Sequence, residues 1–217
     1  MLVQNLASLG QLTTLILLLS PLPSFVFCHK KSLEKNQMVS KVSYKYLLAN
    51  FVNNAVWLAY SLKVENTDLI IINGLGTLIT CLFLSLYIYA KMKVGHHQRS
   101  FLLLLITIPL IIFSFTDRIS TEWTGVLGTS LSIAAYAISL DNISVVLKTR
   151  NKSAVNMGLT VACVLNGTIW MVYSILVRDV YVLIPNLAAL ISAAVQMNLY
   201  QWTTGKLEDT HWFIKVL

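Results

Sequence analysis

Residues 53–61 read NNAVWLAYS, and residues 166–174 read NGTIWMVYS. Asn, Trp, Tyr and Ser occupy the same positions in both stretches, which lie 113 residues apart. The same offset relates Asn73 to Asn186. Since polar and aromatic identities in one register are hard to obtain from an apolar composition alone, we infer that the chain contains an internal repeat.

Both stretches belong to long apolar segments. Hydrophobic residues make up 56% of the 217 residues and charged residues 12%, whereas a soluble domain has roughly 25% charged residues. A bilayer core about 30 Å thick requires about 20 largely apolar residues for each spanning helix. Seven predicted spans satisfy this requirement, with approximate limits 6–28, 44–62, 67–90, 100–116, 124–147, 157–177 and 180–202. We therefore predict a multi-pass membrane protein, because the connections are too short to form a soluble domain.

The repeat determines how these spans are arranged. Spans 1–3 form one repeat and spans 5–7 the other, with span 4 between them. Three spans invert the direction of the chain and the fourth inverts it back, so both repeats enter the membrane the same way round. We predict an all-α integral membrane fold of seven transmembrane helices, with two parallel three-helix repeats joined by a linker helix. The expected divisions are 1–91 for the first repeat, 92–123 for the linker helix and its loops, 124–203 for the second repeat, and 204–217 for a short cytoplasmic tail.

Positive charge is concentrated on one side of the predicted spans. The connections after odd-numbered spans and the C-terminal tail carry 13 of the 16 Lys and Arg residues, and the other side carries only Lys63, Arg118 and Arg178. The basic side is expected to be cytoplasmic, which places the N-terminus outside and the C-terminus inside. The net charge of +7 is thus a topology signal, and we expect no nucleic-acid partner. Span 1 lacks a basic region before its apolar run, so we expect a retained helix and not a cleaved signal peptide.

Paired polar and aromatic residues at one depth predict a substrate site. Trp57 lies about five residues before the outer end of span 2, and Asn73 lies about five residues after the outer start of span 3. A rise of 1.5 Å per residue places both roughly 8 Å below the outer boundary, and the repeat places Trp170 and Asn186 at the same level. An amide offers donors and an acceptor to a sugar hydroxyl, and a tryptophan face covers the apolar patch of a pyranose ring. The alternative is structural, with asparagines bonded between helices and tryptophans in an interfacial belt.

These residues resemble the SWEET family of sugar transporters, within the wider PQ-loop group, over nearly the whole chain. The resemblance is carried by Ser20-Pro21, Lys31-Ser32, Asn53-x3-Trp57-x2-Tyr60, Asn73-Gly74, Asn166-Gly167-x2-Trp170-x2-Tyr173, Arg178-Asp179, and Pro185-Asn186 with Gln196. It implies facilitated diffusion of mono- or disaccharides by alternating access, without a coupling ion or other cofactor. The substrate-binding residues that we expect are Asn73, Asn186, Trp57, Trp170, Asn53 and Asn166.

The gating residues are less completely matched to the family. SWEET proteins typically have a proline in each of spans 1, 2, 5 and 6, and only Pro21 fills such a position here. We place Pro21, Asp179 and Asp141 among the gating residues. Asp141 is the only carboxylate that we predict inside a span, where an acid is costly. It either takes up and releases a proton at the inner gate, or pairs with Lys148 or water at the inner interface.

Other functional classes remain as alternatives. The principal one is a proton-coupled PQ-loop-type exporter of small solutes, and a retrieval receptor of similar architecture is another. A G-protein-coupled receptor shares the seven spans, but the repeat argues against it. An enzyme would need clustered acid–base or metal groups, so we assign no catalytic residue and no metal ligand. We expect a sugar substrate and the lipid bilayer as partners, and the sequence is compatible with association into a homo-oligomer. For the location we favour the plasma membrane over the Golgi or another internal membrane.

Overall fold

The structure, a computed structural model, describes residues 1–30, 43–92, 98–139, 146–147, 150 and 155–205. Asp141 lies outside these residues. Regular structure in this part of the chain is α-helical, and it contains no strand. The helices are α1 (Leu2–Leu18), α2 (Leu22–Lys30), α3 (Tyr44–Lys63), α4 (Thr67–Met92), α5 (Gln98–Ser114), α6 (Thr121–Ser139), α7 (Met157–Val177) and α8 (Val180–Thr203). The all-α prediction is confirmed: α1 and α2 together form span 1, and α3–α8 correspond to spans 2–7.

Four helical segments in the described part of the chain are long and apolar enough to cross a membrane. They are Leu2–Val26, Thr67–Met92, Met157–Val177 and Val180–Thr203, and Leu105–Ser114 is a shorter apolar helix. The helix of span 2 is less apolar because asparagines interrupt its sequence.

Span 1 is interrupted at Pro21. The α1 helix ends at Leu18 and α2 begins at Leu22. Proline has no N–H to donate to the preceding turn and its ring clashes with that turn, so a helix breaks or kinks there. The interruption is closed by a bond of 2.9 Å from the Leu22 N–H to the Leu19 carbonyl. Apolar content alone, which predicted one continuous span, carries no information on this break.

The helix pairs α3–α4 and α7–α8 form hairpins with the same connecting turn. Glu65 and Arg178, which are 113 residues apart, both have positive φ angles, of 53° and 57°. The next residue in each turn caps the following helix. Asn66 Oδ1 accepts from the Leu69 N–H at 3.2 Å, and Asp179 Oδ1 accepts from the Val182 N–H at 3.1 Å. The sequence repeat is therefore also a repeat of backbone geometry.

The contacts between Cα atoms divide the chain into two compact units. The first unit comprises residues 14–135, and the second comprises residues 1–13 together with 136–217. An aromatic and aliphatic cluster forms the core of the first unit, in which the Phe25 and Phe83 rings stack at 5.0 Å. In the second unit Tyr173 and Leu199 are among the most deeply buried side chains. These units describe packing, and the repeat limits expected from the sequence stay a prediction.

Lys63 joins the end of α3 to the connection between α5 and α6. Its ammonium group donates to the Thr116 carbonyl at 2.9 Å and to the Ile119 carbonyl at 2.6 Å. At the start of α6, a hydrogen bond from Ser120 lowers the pKa of the Glu122 carboxyl. The connection that the sequence places outside the membrane is thus held to span 2 by one of the few cations on that side.

Candidate functional site

In the first unit, Trp57 and Asn53 meet at the hydroxyl group of Ser132 on α6. Trp57 Nε1 donates to Ser132 Oγ at 2.9 Å. Ser132 Oγ in turn donates to Asn53 Oδ1 at 2.9 Å. Trp57 and Ser132 are buried, whereas Asn53 is half-buried. The structure therefore brings two of the predicted site residues together through a third residue that the sequence analysis did not identify.

Gly128 on α6 helps to fix the position of the Trp57 ring. A Cβ atom at Gly128 would lie 3.0 Å from Cε2 of the Trp57 indole, so a side chain there would force the ring to move. Tyr60 packs on the same indole edge-to-face, with ring centroids 5.3 Å apart and an interplanar angle of 89°. The orientation of Trp57 is thus set by a hydrogen bond, a helix surface and a second ring.

The second unit repeats this arrangement with residues of α1. Thr13 Oγ1 donates to Asn166 Oδ1 at 2.8 Å. A Cβ atom at Gly10 would lie 2.8 Å from Cε2 of the Trp170 indole. Tyr173 packs on Trp170 with ring centroids 5.2 Å apart and an interplanar angle of 80°. Each unit therefore contains one asparagine that accepts from a hydroxyl and one tryptophan that packs on a glycine.

Asn73 and Asn186 have the same local geometry in the two hairpins. Each lies six residues after the first residue of its helix, α4 or α8. Asn73 Nδ2 donates to the Leu69 carbonyl at 2.8 Å, and Asn186 Nδ2 donates to the Val182 carbonyl at 2.7 Å. Within the described residues, no hydrogen bond to the amide oxygen of either side chain is found, and both side chains are half-buried. Each amide therefore keeps one acceptor and one donor for a ligand.

The structure gives the predicted gating residues different positions. Pro21 lies at the interruption of span 1, and Asp179 caps the N-terminus of α8 with bonds from the Tyr181 and Val182 N–H groups. This capping is what Asn66 does at the equivalent position of the first hairpin. Asp179 therefore has a structural role, and its part in gating stays a prediction, as does that of Asp141.

The sequence analysis missed the residues that support the two tryptophans. A signal for the two glycines exists: Leu9-Gly10 recurs as Leu127-Gly128, at an offset of 118 residues, although the hydroxyl groups follow at different spacings, Thr13 three residues after Gly10 and Ser132 four after Gly128. This offset differs from the 113 residues of the main repeat, and glycine, serine and threonine are common in membrane helices. The pattern thus became informative only once the contacts of Trp57 and Trp170 were known.

The chemistry of these residues suits a neutral polyol. The six predicted binding residues are amides and indoles, which carry no charge that a ligand would have to neutralise. Groups of His, Cys, Asp or Glu that could hold a metal ion do not occur in the described part of the chain. The arrangement can therefore bind through amide hydrogen bonds and ring faces, without supplying an acid, a base or a nucleophile.

The sequence is similar to those of known proteins of one family. A family model described as "Sugar efflux transporter for intercellular exchange" matches residues 4–94 and again residues 122–206. The Arabidopsis thaliana protein named "Bidirectional sugar transporter SWEET4" is 29% identical over 209 residues, which cover 91% of this chain and 81% of that protein. The Arabidopsis thaliana SWEET7 is 29% identical over 205 residues, covering 88% of this chain and 77% of the relative. SWEET15 of Oryza sativa subsp. indica is 28% identical over 201 residues, covering 88% of this chain and 61% of the relative.

A solved structure shares the fold. It is described as "The 3.7 A resolution structure of a eukaryotic SWEET transporter" and matches with a TM-score of 0.78. The match covers 94% of this chain and 97% of the other, at 21% sequence identity. This likeness confirms the predicted seven-helix membrane fold.

Proposed function

Because the chain belongs to the MtN3/SWEET family, described as sugar efflux transporters for intercellular exchange, we propose that it moves mono- or disaccharides across a membrane in both directions. The movement is facilitated diffusion by alternating access. The family is a family of transporters and not a class of enzymes. The observation that carries the proposal is the family match over residues 4–94 and 122–206, and it is supported by the occurrence in each unit of an asparagine bonded to a hydroxyl group and a tryptophan packed on a glycine.

The sugar site that we propose contains three residues from each repeat. Asn73 and Asn186 bind hydroxyl groups, because each keeps an acceptor and a donor after its bond to the preceding turn. Trp57 and Trp170 offer ring faces to the apolar side of a pyranose, and their orientation is supported by Gly128 and Gly10. Asn53 and Asn166 complete the site.

The conformational change that we propose uses the interruption of span 1. With α1 ending at Leu18 and α2 beginning at Leu22, the two parts of this span can change their relative angle at the cost of the few turn hydrogen bonds between them, such as that from the Leu22 N–H to the Leu19 carbonyl. Asp179 is included because it caps α8 at its outer end. For Asp141 we keep two alternatives: proton uptake and release at the inner gate of span 5, or a structural role in which it pairs with Lys148 or water at the inner interface.

The membrane assignment extends the same proposal. The charge asymmetry of the sequence supports an outside N-terminus and a cytoplasmic C-terminus. We propose the plasma membrane as the location, with the Golgi or another internal membrane as the alternative. Association of copies of the chain into a homo-oligomer is compatible with both locations.

Radiolabelled-sugar flux in cells that lack their own sugar transporters tests this function. We expect uptake and efflux down the sugar gradient, with rates that are similar at two external pH values and no accumulation above equilibrium. Asp141→Asn should leave both rates and their pH profile largely unchanged. Accumulation that requires a proton gradient, and that Asp141→Asn abolishes, would instead identify the proton-coupled exporter.

A further inference from the structure

Ser132 makes one bond as an acceptor, from Trp57, and one bond as a donor, to Asn53. An indole N–H donates and cannot accept, so Ser132 Oγ must be the acceptor from Trp57 Nε1, at 2.9 Å. A serine hydroxyl carries one proton, and the second bond of Ser132, also 2.9 Å, leads to Asn53. In the structure Ser132 Oγ donates its proton to Asn53, and the atom of Asn53 that receives it is the amide oxygen.

This direction distinguishes Asn53 from three other asparagines of the same unit. The amide nitrogens of Asn50, Asn54 and Asn73 each donate to the carbonyl four residues earlier in their helix. Asn53 makes no such bond among the described residues, since its amide oxygen is held by Ser132 on another helix. Both N–H bonds of this half-buried amide thus remain for a ligand.

We propose that Ser132 is a positioning residue that makes Asn53 a hydrogen-bond donor to the sugar. This inference rests on the proposed transport function and concerns the chemistry of that same site. Asn53 contacts a sugar oxygen that acts as an acceptor, whereas Asn73 and Asn186 offer an acceptor and a donor each. The Trp57 indole N–H donates to Ser132, so Trp57 contacts the sugar through its ring face.

Fluorinated sugars can show whether Asn53 acts as a hydrogen-bond donor to the sugar. Fluorine in place of a hydroxyl group can accept a weak hydrogen bond but cannot donate one, and a deoxy sugar can do neither. At the hydroxyl group that Asn53 contacts, the deoxyfluoro analogue should bind better than the deoxy analogue. At hydroxyl groups that must donate to an asparagine oxygen, the two analogues should be equally weak.

The experiment measures competition between labelled sugar and each monodeoxy or monodeoxyfluoro analogue during uptake, normalised to surface protein. We expect at least one position of the sugar at which the fluoro analogue is preferred in the wild-type protein. Ser132→Ala should remove this preference and raise the apparent KM of the parent sugar about two- to tenfold, as expected for the loss of one positioned hydrogen bond. Ser132→Thr keeps the hydroxyl and should keep the preference, and Asn53→Ala should lose it.

Ser130 provides a matched control on the same helix. Its hydroxyl donates only to the Val126 carbonyl, at 2.8 Å, and its side chain is exposed. We expect Ser130→Ala to keep the wild-type KM and the wild-type analogue preference.

Three results would overturn the inference while leaving sugar transport intact. One is a wild-type protein with no position at which fluorine is preferred, a result that needs no variant to fold. Another is an unchanged preference and KM in Ser132→Ala, even if its surface abundance falls, since that would indicate a purely structural serine. The third is an equal change in Ser130→Ala. Failure of the proposed function would be recognised separately, by the absence of sugar flux in the wild-type protein.

Discussion

In both units the site asparagine accepts a hydrogen bond from a hydroxyl group on another helix. Ser132 fills this role for Asn53, and Thr13 fills it for Asn166. A polar group buried without a partner costs about 1–3 kcal/mol, so these hydroxyl groups both stabilise and orient the amides. The adjacent glycines, Gly128 and Gly10, bring the same helices close enough for the contact. In the site that we propose, the chemistry of Asn53 therefore depends on Ser132, a neighbour that itself need not touch the substrate.

The two tryptophans should respond differently to Phe and to Ala. Trp57→Ala and Trp170→Ala remove the ring face and should weaken sugar binding about five- to 150-fold, equivalent to about 1–3 kcal/mol. Phenylalanine at either position should retain part of the affinity because an aromatic face remains. The measurement is the apparent KM of uptake, normalised to surface protein. Normal KM values in both alanine variants would assign the tryptophans to the membrane interface instead.

The sequence predicted the asparagines and tryptophans but not their supports. Asn53, Trp57 and Asn73 were recognisable because polar and aromatic residues are rare enough in apolar spans for a repeat to be noticed. Gly128 acts because it has no side chain, and Ser132 acts through the hydrogen bond that its hydroxyl group donates. Glycine and serine are frequent in membrane helices whatever their role. Only the contacts of the folded chain distinguish them.

At the scale of the helices, the connecting turns of the two hairpins are formed by equivalent residues. Glu65 and Arg178 adopt the left-handed conformation, which is uncommon for residues other than glycine and asparagine. The cost is compensated because the following N–H reaches back to the helix: Asn66 N donates to the Ser61 carbonyl at 3.1 Å, and Asp179 N does so to the Ser174 carbonyl at 2.9 Å. Local preference would not predict these conformations, whereas the packing of two antiparallel helices requires them.

The cap at Asp179 can be tested by substitution. Asp179→Ala removes the acceptor for two N–H groups of α8 and should lower stability by about 1 kcal/mol. Asp179→Asn introduces the residue type that caps α4 at Asn66, and it should retain most of that stability. Thermal unfolding in detergent measures both effects. Equal losses in the two variants would mean that the charge, and not the cap, is what matters.

The glycine contacts give a second prediction for the helices. Gly10→Ala and Gly128→Ala place a methyl group against Trp170 and Trp57, and each should cost about 1–3 kcal/mol because the ring or the helix must move. Gly158→Ala is the matched control, since a Cβ atom there would meet only Asn156 Oδ1, at 3.6 Å. Thermal stability and flux should fall together in the first two variants and stay normal in the control. A stable Gly128→Ala variant with normal flux would contradict the role given to this contact.

At the scale of the whole molecule, the chain contains an internal repeat. The family model matches residues 4–94 and 122–206, so each repeat is recognised separately and the linker helix lies largely between the matches. Apolar segments and their periodic identities were sufficient to predict the all-α, seven-span fold. They did not predict the break at Pro21 or the division of α1 between two compact units at residues 13 and 14. Hydropathy specifies which residues enter the membrane, and it does not specify which helices they contact there.

The orientation of the molecule can be tested with cysteine labelling. In a variant without the native cysteines, Arg118→Cys should react with an impermeant thiol reagent added outside the cell. Lys93→Cys should react only after the membrane is permeabilised. The reason is the distribution of Lys and Arg, which favours a cytoplasmic position for the connection that contains Lys93. The opposite labelling pattern would invert the orientation.

The central claim is that Asn73 and Asn186 are equivalent ligands of a transported sugar. The most direct test is sugar flux per molecule of surface protein in Asn73→Ala and Asn186→Ala, with Asn198→Ala as a control whose amide also donates to the carbonyl four residues earlier. We expect both site variants to reach the surface and to lose affinity about five- to 150-fold, since sugar hydroxyls lose their partners. The control should transport normally. Near-normal flux per molecule in both site variants would contradict the claim.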